Sequence, residues 1–290
     1  MIDTTRPQVV VLGTAQDGGA PQAGCTQTCC EWTRADPERR RLPASLGIID
    51  PLAQKRWIID CTPDFPEQLH RLNAVSDPSW GLAGVFLTHA HIGHYVGLIH
   101  LGKEVMGARG VPVYVMPRMR GFIESDSPWR QLVEQGNISL EPLADGLTIQ
   151  LTSQVSVTPF EVPHRDEISE TVGFKVHGPT RTVAHLPDID SWAAWEQELG
   201  DFLSGLDVAW LDGTFFDSTE LPHRDLSKIS HPMMVTSLEA LSPLPASLRD
   251  RVRFTHLNHS NPVINPESPQ AAQIIASGAH LAAEGERFPL

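Results

Sequence analysis

No apolar run in these 290 residues approaches the length of a membrane span, and none precedes the first strand pattern as an export signal would. A cytoplasmic setting without membrane contact is therefore expected. Positive charge is in short supply: 22 Lys and Arg face 35 Asp and Glu, a formal charge of −13. So acidic a surface repels a phosphate backbone, which argues against nucleic acid and leaves a small molecule as the expected substrate. Phosphate-binding loops are missing as well. Residues 13–19 are glycine-rich but hold neither G-x-G-x-x-G nor the lysine of a P-loop, and they read as a turn. Of only four cysteines, Cys25, Cys29 and Cys30 crowd together and Cys61 stands apart. In a reducing compartment that crowding favours a metal site over a disulfide framework. Tyrosine is rarer still, two residues against thirteen histidines, and this imbalance points to metal chemistry.

What is present is ordinary globular material: 41% hydrophobic and 20% charged residues exclude disorder and collagen-like repeats. There is no internal repeat and no linker, so one domain over residues 1–290 is expected. Short β-branched runs predict strands at 8–13, 57–61, 84–88, 113–116, 147–151, 155–162, 172–176, 182–186, 208–211 and 252–255. Helical spacing predicts helices over 95–106, 192–203 and 269–277. Many strands with few helices make an α/β architecture of two packed sheets covered by helices.

The chemistry concentrates at Thr88-His89-Ala90-His91-Ile92-Gly93-His94, between a strand pattern and a helix pattern. Imidazole ligates zinc, iron and manganese, and a His-x-His pair can grip one ion from a rigid strand-to-helix turn. Ligand-type residues recur at later strand ends: His164 after residues 155–162, Asp188 after 182–186, and His256 after 252–255. Active sites on sheet scaffolds collect at such ends.

With these residues in place, the chain resembles the metallo-β-lactamase superfamily, whose signature is His-x-His-x-Asp-His followed by a later His, Asp and His. Within it, the chain is similar to the pyrroloquinoline-quinone biosynthesis protein B group. The likeness rests on Val11-Leu12-Gly13-Thr14, Pro21-Gln22 with its cysteines, Asp212-Gly213-Thr214-Phe215-Phe216 and His256-Leu257-Asn258-His259-Ser260-Asn261-Pro262. A cyclic phosphodiesterase of phosphonate breakdown is a second relative in appearance. The resemblance implies the αβ/βα sandwich, two mixed β-sheets flanked by helices. It implies one or two active-site ions, zinc in the first instance with iron or manganese as alternatives. His89, His91 and His164 would take the first ion, His94 and His256 the second, and Asp188 would bridge. It further implies a separate structural zinc on Cys25, Cys29, Cys30 and His259. Three thiolates and an imidazole make a closed tetrahedral site that staples a loop.

The signature aspartate falls at Gly93, which has no ligand to offer. The second site is then either weakened, giving a one-ion enzyme, or more open, and Gly93→Asp is expected to tighten it, or to lose stability instead if residue 93 has a positive φ that Asp tolerates less easily than Gly. Asp188, Asp212 and His231 are the candidate catalytic residues. Asp212 ends a strand and would support the site or touch substrate, and His231 lies where relatives place a substrate-handling histidine. Asp60 ends a strand and would buttress the histidine cluster. His185 reads as core or buttress; His70, His100, His177, His223 and His280 read as surface or satisfied core. Three functions compete. The ligand set favours a hydrolase of a small ester, amide or phosphodiester using a metal-activated water. The missing aspartate favours an iron-dependent oxidative enzyme like the quinone-biosynthesis protein, or else a non-catalytic metal-binding accessory protein. Nothing in the sequence specifies oligomeric state.

Overall fold

Alternation along the first strand explains the layering. Val9 and Val11 point one way and Val10 and Leu12 the other, and all four are fully buried, so this strand is covered on both faces. In the computed structural model, which describes residues 5–221, 225 and 229–290, Val9 and Val11 enter a core between two sheets. Val10 and Leu12 enter a second core beneath helices. His223 lies outside the described residues.

The first sheet comprises β1 (Gln8–Gly13), β2 (Ser45–Asp50), β3 (Lys55–Ile59), β4 (Gly84–Phe86), β5 (Val111–Val115), β6 (Ile138–Pro142) and β14 (Arg287–Pro289), ordered β14-β1-β2-β3-β4-β5-β6. The second comprises β7 (Ile149–Gln150), β8 (Ser156–Glu161), β9 (Val172–His177), β10 (Thr182–Leu186), β11 (Val208–Asp212), β12 (Val252–Thr255) and β13 (His280–Leu281), ordered β13-β12-β11-β10-β9-β8-β7. Both sheets are mixed. Trp57, Phe86, Phe174 and Trp210 fill the space between them. The outer faces carry helices. On the first sheet these are α2 (Phe65–Val75), α4 (Pro117–Ser125) and α5 (Trp129–Glu134), with the short α1 (Thr28–Arg34) and α3 (Ile92–Tyr95) on connecting loops. On the second they are α6 (Leu199–Ser204), α7 (Met234–Leu241), α8 (Ala246–Arg249) and α9 (Pro269–Ala276). This is the metallo-β-lactamase αβ/βα sandwich. No helix among the described residues is long and apolar enough to cross a membrane.

Two predicted helices are corrected. Residues 95–106 do not form one helix: α3 ends at Tyr95, a 3-10 turn follows over Val96–Leu101, and turns complete the segment. The reason is a tertiary pairing, in which Cys61 N–H donates to the His94 carbonyl at 2.8 Å and Gly97 N–H to the Cys61 carbonyl at 2.9 Å. Those groups are thereby withdrawn from helical bonds. Residues 192–203 form a 3-10 turn, Trp192–Ala194, and then α6 only from Leu199. The Trp192 indole donates to Ser237 Oγ at 2.8 Å and Trp195 to the Glu161 carbonyl at 3.3 Å, which holds the chain extended between them. Strands β2 and β6 and helices α2, α4, α5 and α7 were not among the predicted elements, although Phe65, Leu69, Leu72 and Val75 of α2 recur at helical spacing.

Candidate metal centre

Parallel pairing brings strand ends together. Leu186 is in register with Leu211, and Asp212 with Thr255, so the chain leaves β10, β11 and β12 at one level. Asp188, Asp212 and His256 follow. In the first sheet Ile59 is in register with Phe86, and just beyond it Asp60 Oδ1 accepts from the Thr88 N–H at 2.9 Å. The two sheets meet at this edge, and there the histidines converge.

One group is His89, His91 and His164. His89 Nε2 lies 2.8 Å from His91 Nδ1, and His164 Nε2 lies 3.3 Å from the same nitrogen. The other joins His94 and His256 with Asp17. Asp188 lies between the groups: Oδ1 is 3.6 Å from His164 Nε2, while Oδ2 is 3.3 Å from His94 Nε2 and 3.4 Å from His256 Nε2. Asp17 Oδ1 is 3.2 Å from His94 Nε2 and 3.6 Å from His256 Nε2.

The far nitrogens of His89, His94 and His256 are tied down, and this fixes which face of each of these rings looks inward. His94 Nδ1 donates to Asp60 Oδ2 at 2.7 Å. The Thr88 hydroxyl donates to Asp60 at 3.0 Å, so His89 Nδ1–H donates to Thr88 Oγ1 at 2.9 Å. The Thr214 hydroxyl donates to Asp212 Oδ1 at 2.7 Å, so His256 Nδ1–H donates to Thr214 Oγ1 at 2.9 Å. His164 Nδ1 lies 3.1 Å from Asp190 Oδ1. His89 and His256 are thereby left with an Nε2 lone pair aimed at the centre, and His94 gains one once its Nε2 proton leaves, the arrangement that orients imidazoles as ligands. Asp60 and His256 hold φ of +64° and +59°. Such left-handed backbone is costly for residues other than glycine and here aims two polar side chains into the cluster.

Electrostatics describe a place for cations. Burial and the neighbouring His94 push His89 well below the ordinary imidazole range, and burial with His164 holds His91 at about 4. Burial opposes the ionised form of Asp188, yet His256, His94 and His89 keep its carboxyl well below the usual range. Burial likewise opposes charge on His94, but Asp60 and Asp188 prevail and raise its pKa well above normal. A proton there balances buried carboxylates, and a metal ion would displace it. Asp17 Oδ1, His94 Nε2, Asp188 Oδ2 and His256 Nε2 are buried with no hydrogen-bond partner among the described residues. The four histidine–carboxylate separations among these ligand atoms, 3.2 to 3.6 Å, match the spacing of about 3.3 Å between ligands on a tetrahedral zinc. The residues fit an ion.

Asp212 is fully buried with both oxygens engaged: Oδ1 accepts from the Thr214 N–H and hydroxyl, Oδ2 from Ile189 N–H and from His231 Nδ1 at 2.7 Å. It has no face toward a substrate and instead positions His231 and, through Thr214, His256. His231 lines a cavity of about 330 Å³ with Asp17, His91, His164, Arg165 and Asp188. Burial works against its charge, but Asp212 raises its pKa to about 9. His185 is fully buried, with neither nitrogen hydrogen-bonded among the described residues.

Asp17, in a glycine-rich turn, and Asp190 carry no motif that marks them as site residues in the sequence. No spacing links residue 17 to residues 93 or 94. The one signal was a spare carboxylate in a chain whose motif lacks one.

Some distance along the chain, Cys25, Cys29, Cys30 and His259 converge with their ligand atoms within 4.8 Å of one another. His259 Nδ1 lies 3.3 Å from Cys30 Sγ and 3.8 Å from Cys29 Sγ. Cys29 and Cys30, adjacent in the chain, both reach the cluster from the first turn of α1.

The family model of the beta-lactamase superfamily domain matches residues 55–257. The chain belongs to the beta-lactamase superfamily. Over 98% of its length it is 27% identical to the whole of the coenzyme PQQ synthesis protein B of Xanthomonas oryzae pv. oryzae. It is 27% identical to the Methylobacterium radiotolerans protein of the same name, covering 96% of this chain and 98% of that one. Zinc-bound PqqB from Methylobacterium extorquens superposes with a TM-score of 0.80 at 22% identity, over 98% of this chain and 100% of that one. A diphosphatase of the PhnP family superposes with a TM-score of 0.69 at 24% identity, over 98% and 97%. These structural likenesses establish the superfamily's fold.

Proposed function

We propose that the chain is a metal-dependent hydrolase of a small ester, amide or phosphodiester. The observation that carries this reading is the pair of donor sets sharing Asp188, whose two oxygens face different histidine groups. His89, His91 and His164 would hold one ion, His94 and His256 the other, with zinc suiting so many imidazoles and iron or manganese also accommodated. Ions held there polarise a carbonyl or phosphoryl oxygen and bring the pKa of a coordinated water to about 7.

The chain's own residues supply the rest. Asp188 is kept ionised by the histidines around it. His231, clamped by Asp212, whose carboxylate favours the protonated ring, faces the cavity with a proton to give to a departing oxygen or nitrogen. A cavity of about 330 Å³ and a formal charge of −13 suit a small molecule and not a polynucleotide. The separate thiolate and imidazole cluster supports a structural zinc at Cys25, Cys29, Cys30 and His259.

A second reading, an iron-dependent oxidative enzyme, is favoured by the 27% identity to PQQ synthesis protein B over 98% of the chain. Elemental analysis of protein purified without a metal-chelating tag, followed by turnover of an ester, amide and phosphodiester panel with and without oxygen, separates the two. Hydrolysis indifferent to oxygen and abolished by chelation supports the hydrolase. Iron as the resident metal, with turnover that consumes oxygen, overturns it.

A further inference from the structure

Gly93 stands where the superfamily signature has its aspartate, and the structure shows what fills the space. A Cβ built on Gly93 would lie 2.1 Å from Asp17 Oδ1 and 2.5 Å from both Asp17 Cα and Cγ. Any side chain at residue 93 would overlap Asp17. Gly93 has no positive φ that would call for glycine, so close approach alone explains its identity.

The segment bearing Asp17 is held between both sheets. Thr14 N–H and Ala15 N–H donate to the Leu42 carbonyl at 2.9 and 2.8 Å, Gln16 N–H donates to the Leu257 carbonyl at 2.8 Å, and Leu257 N–H returns a bond to Thr14. Leu257 directly follows His256, so Asp17 and His256 are fixed by one backbone ladder. The Gly19 N–H donates to the Gln16 carbonyl at 2.7 Å and closes the turn around Asp17.

We propose that Asp17 is the carboxylate ligand of the second ion, a ligand moved from the histidine motif to the loop after β1. The assignment rests on the two-ion reading of the cluster. Its geometric basis is the buried, partnerless Oδ1 at 3.2 Å from His94 Nε2 and 3.6 Å from His256 Nε2, with Asp188 Oδ2 completing the set. Asp17 adds a full negative charge to the second ion's ligands, where the histidines and Asp188 alone would supply only one carboxylate shared with the first ion. The second site is therefore a full site reached by a different part of the chain, and not a weakened one.

The test is calorimetric titration of chelator-stripped protein with Mn²⁺, an ion that carboxylate and imidazole accept and thiolates disfavour, so that the cysteine cluster does not enter the count. Wild type, Asp17→Asn and Asp17→Ala are compared, with circular dichroism confirming the fold of each metal-free variant. Wild type is expected to bind two ions. Both variants are expected to keep the first at wild-type affinity and to lose more than about 100-fold at the second, beyond the 10- to 100-fold typical of groups that only orient a ligand. Asp17→Asn, nearly the same shape, serves if Asp17→Ala fails to fold. Two-ion binding unchanged in Asp17→Asn overturns the assignment while leaving the two-ion reading intact. A wild-type chain that binds a single Mn²⁺ overturns that reading and the assignment with it.

Discussion

At the scale of single residues, the candidate site depends on where hydrogen bonds fix lone pairs. His89 is fully buried, uncharged through desolvation, and held by Thr88. His89→Ala removes one donor from a framework that the sheets have already built, so the expected outcome is loss of the first ion with secondary structure retained. Elemental analysis beside circular dichroism checks it, and full metal content in a folded variant would remove His89 from the ligands. Glu220 offers a different kind of test. Burial raises its carboxyl to about 7, against stabilising bonds from Ser260 Oγ at 2.8 Å and the Phe216 N–H. The folded chain thus holds this proton more tightly than the unfolded chain, whose carboxyl titrates near 4.5. Stability from this group is intact below pH 4.5 and declines as pH rises to about 7, by about 3 kcal/mol at full ionisation. Glu220→Gln mimics the protonated form. In denaturant unfolding it should gain on wild type at pH 8.5 compared with pH 5.5, and an equal difference at both values would refute the raised pKa.

At the scale of elements, two loops and two short helices bring together what the strands cannot reach. α1 presents Cys29 and Cys30 from one turn, and Cys25 and His259 approach from loops before and beyond it. Zinc held by these four would tie the N-terminal loop to the segment after β12. Cys25→Ser should therefore lower the melting temperature with little change in turnover, because the candidate catalytic cluster uses other residues. An unchanged melt and zinc count would exclude a structural ion there. The approach of the loop after β1 to α3 also decides between the two outcomes open at Gly93, through close packing and not through a positive φ. Gly93→Asp, which restores the superfamily signature, drives a side chain into Asp17 Oδ1, Cα and Cγ instead of tightening the second site. Because backbone is among the obstructing atoms, the loop must move, and overpacking of this kind costs about 1–3 kcal/mol. Chemical denaturation should show that loss; a Gly93→Asp chain as stable as wild type would contradict the close approach.

For the molecule as a whole, the candidate ions would bridge two halves. His89, His91 and His94 follow β4 of the first sheet, Asp17 follows β1, and His164, Asp188 and His256 follow strands of the second. An ion bound only by the folded chain stabilises it by about 4 kcal/mol when present at 1,000 times its Kd. Chelation should accordingly lower the unfolding temperature, and added Zn²⁺ should restore it in a concentration-dependent way. Scanning calorimetry checks this, and an unfolding temperature blind to chelator would mean that the histidine cluster holds no ion of consequence.

The sequence alone determined what local pattern can encode. Alternating and β-branched runs placed β1, β10 and β12 at their observed bounds, the Pro269 start marked α9, and ligand-type residues at strand ends announced His164, Asp188 and His256. The histidine motif was legible because its members share one turn. Tertiary structure decided the rest, because it depended on atoms distant in sequence. Helix 95–106 lost to pairing with Cys61. Asp212, which its strand-end position left open to substrate, was enclosed by Thr214, Ile189 and His231. Asp17 came within reach of His94 only because backbone bonds to Leu42 and Leu257 draw its loop across the junction of two sheets, a meeting over 77 residues that no local periodicity records.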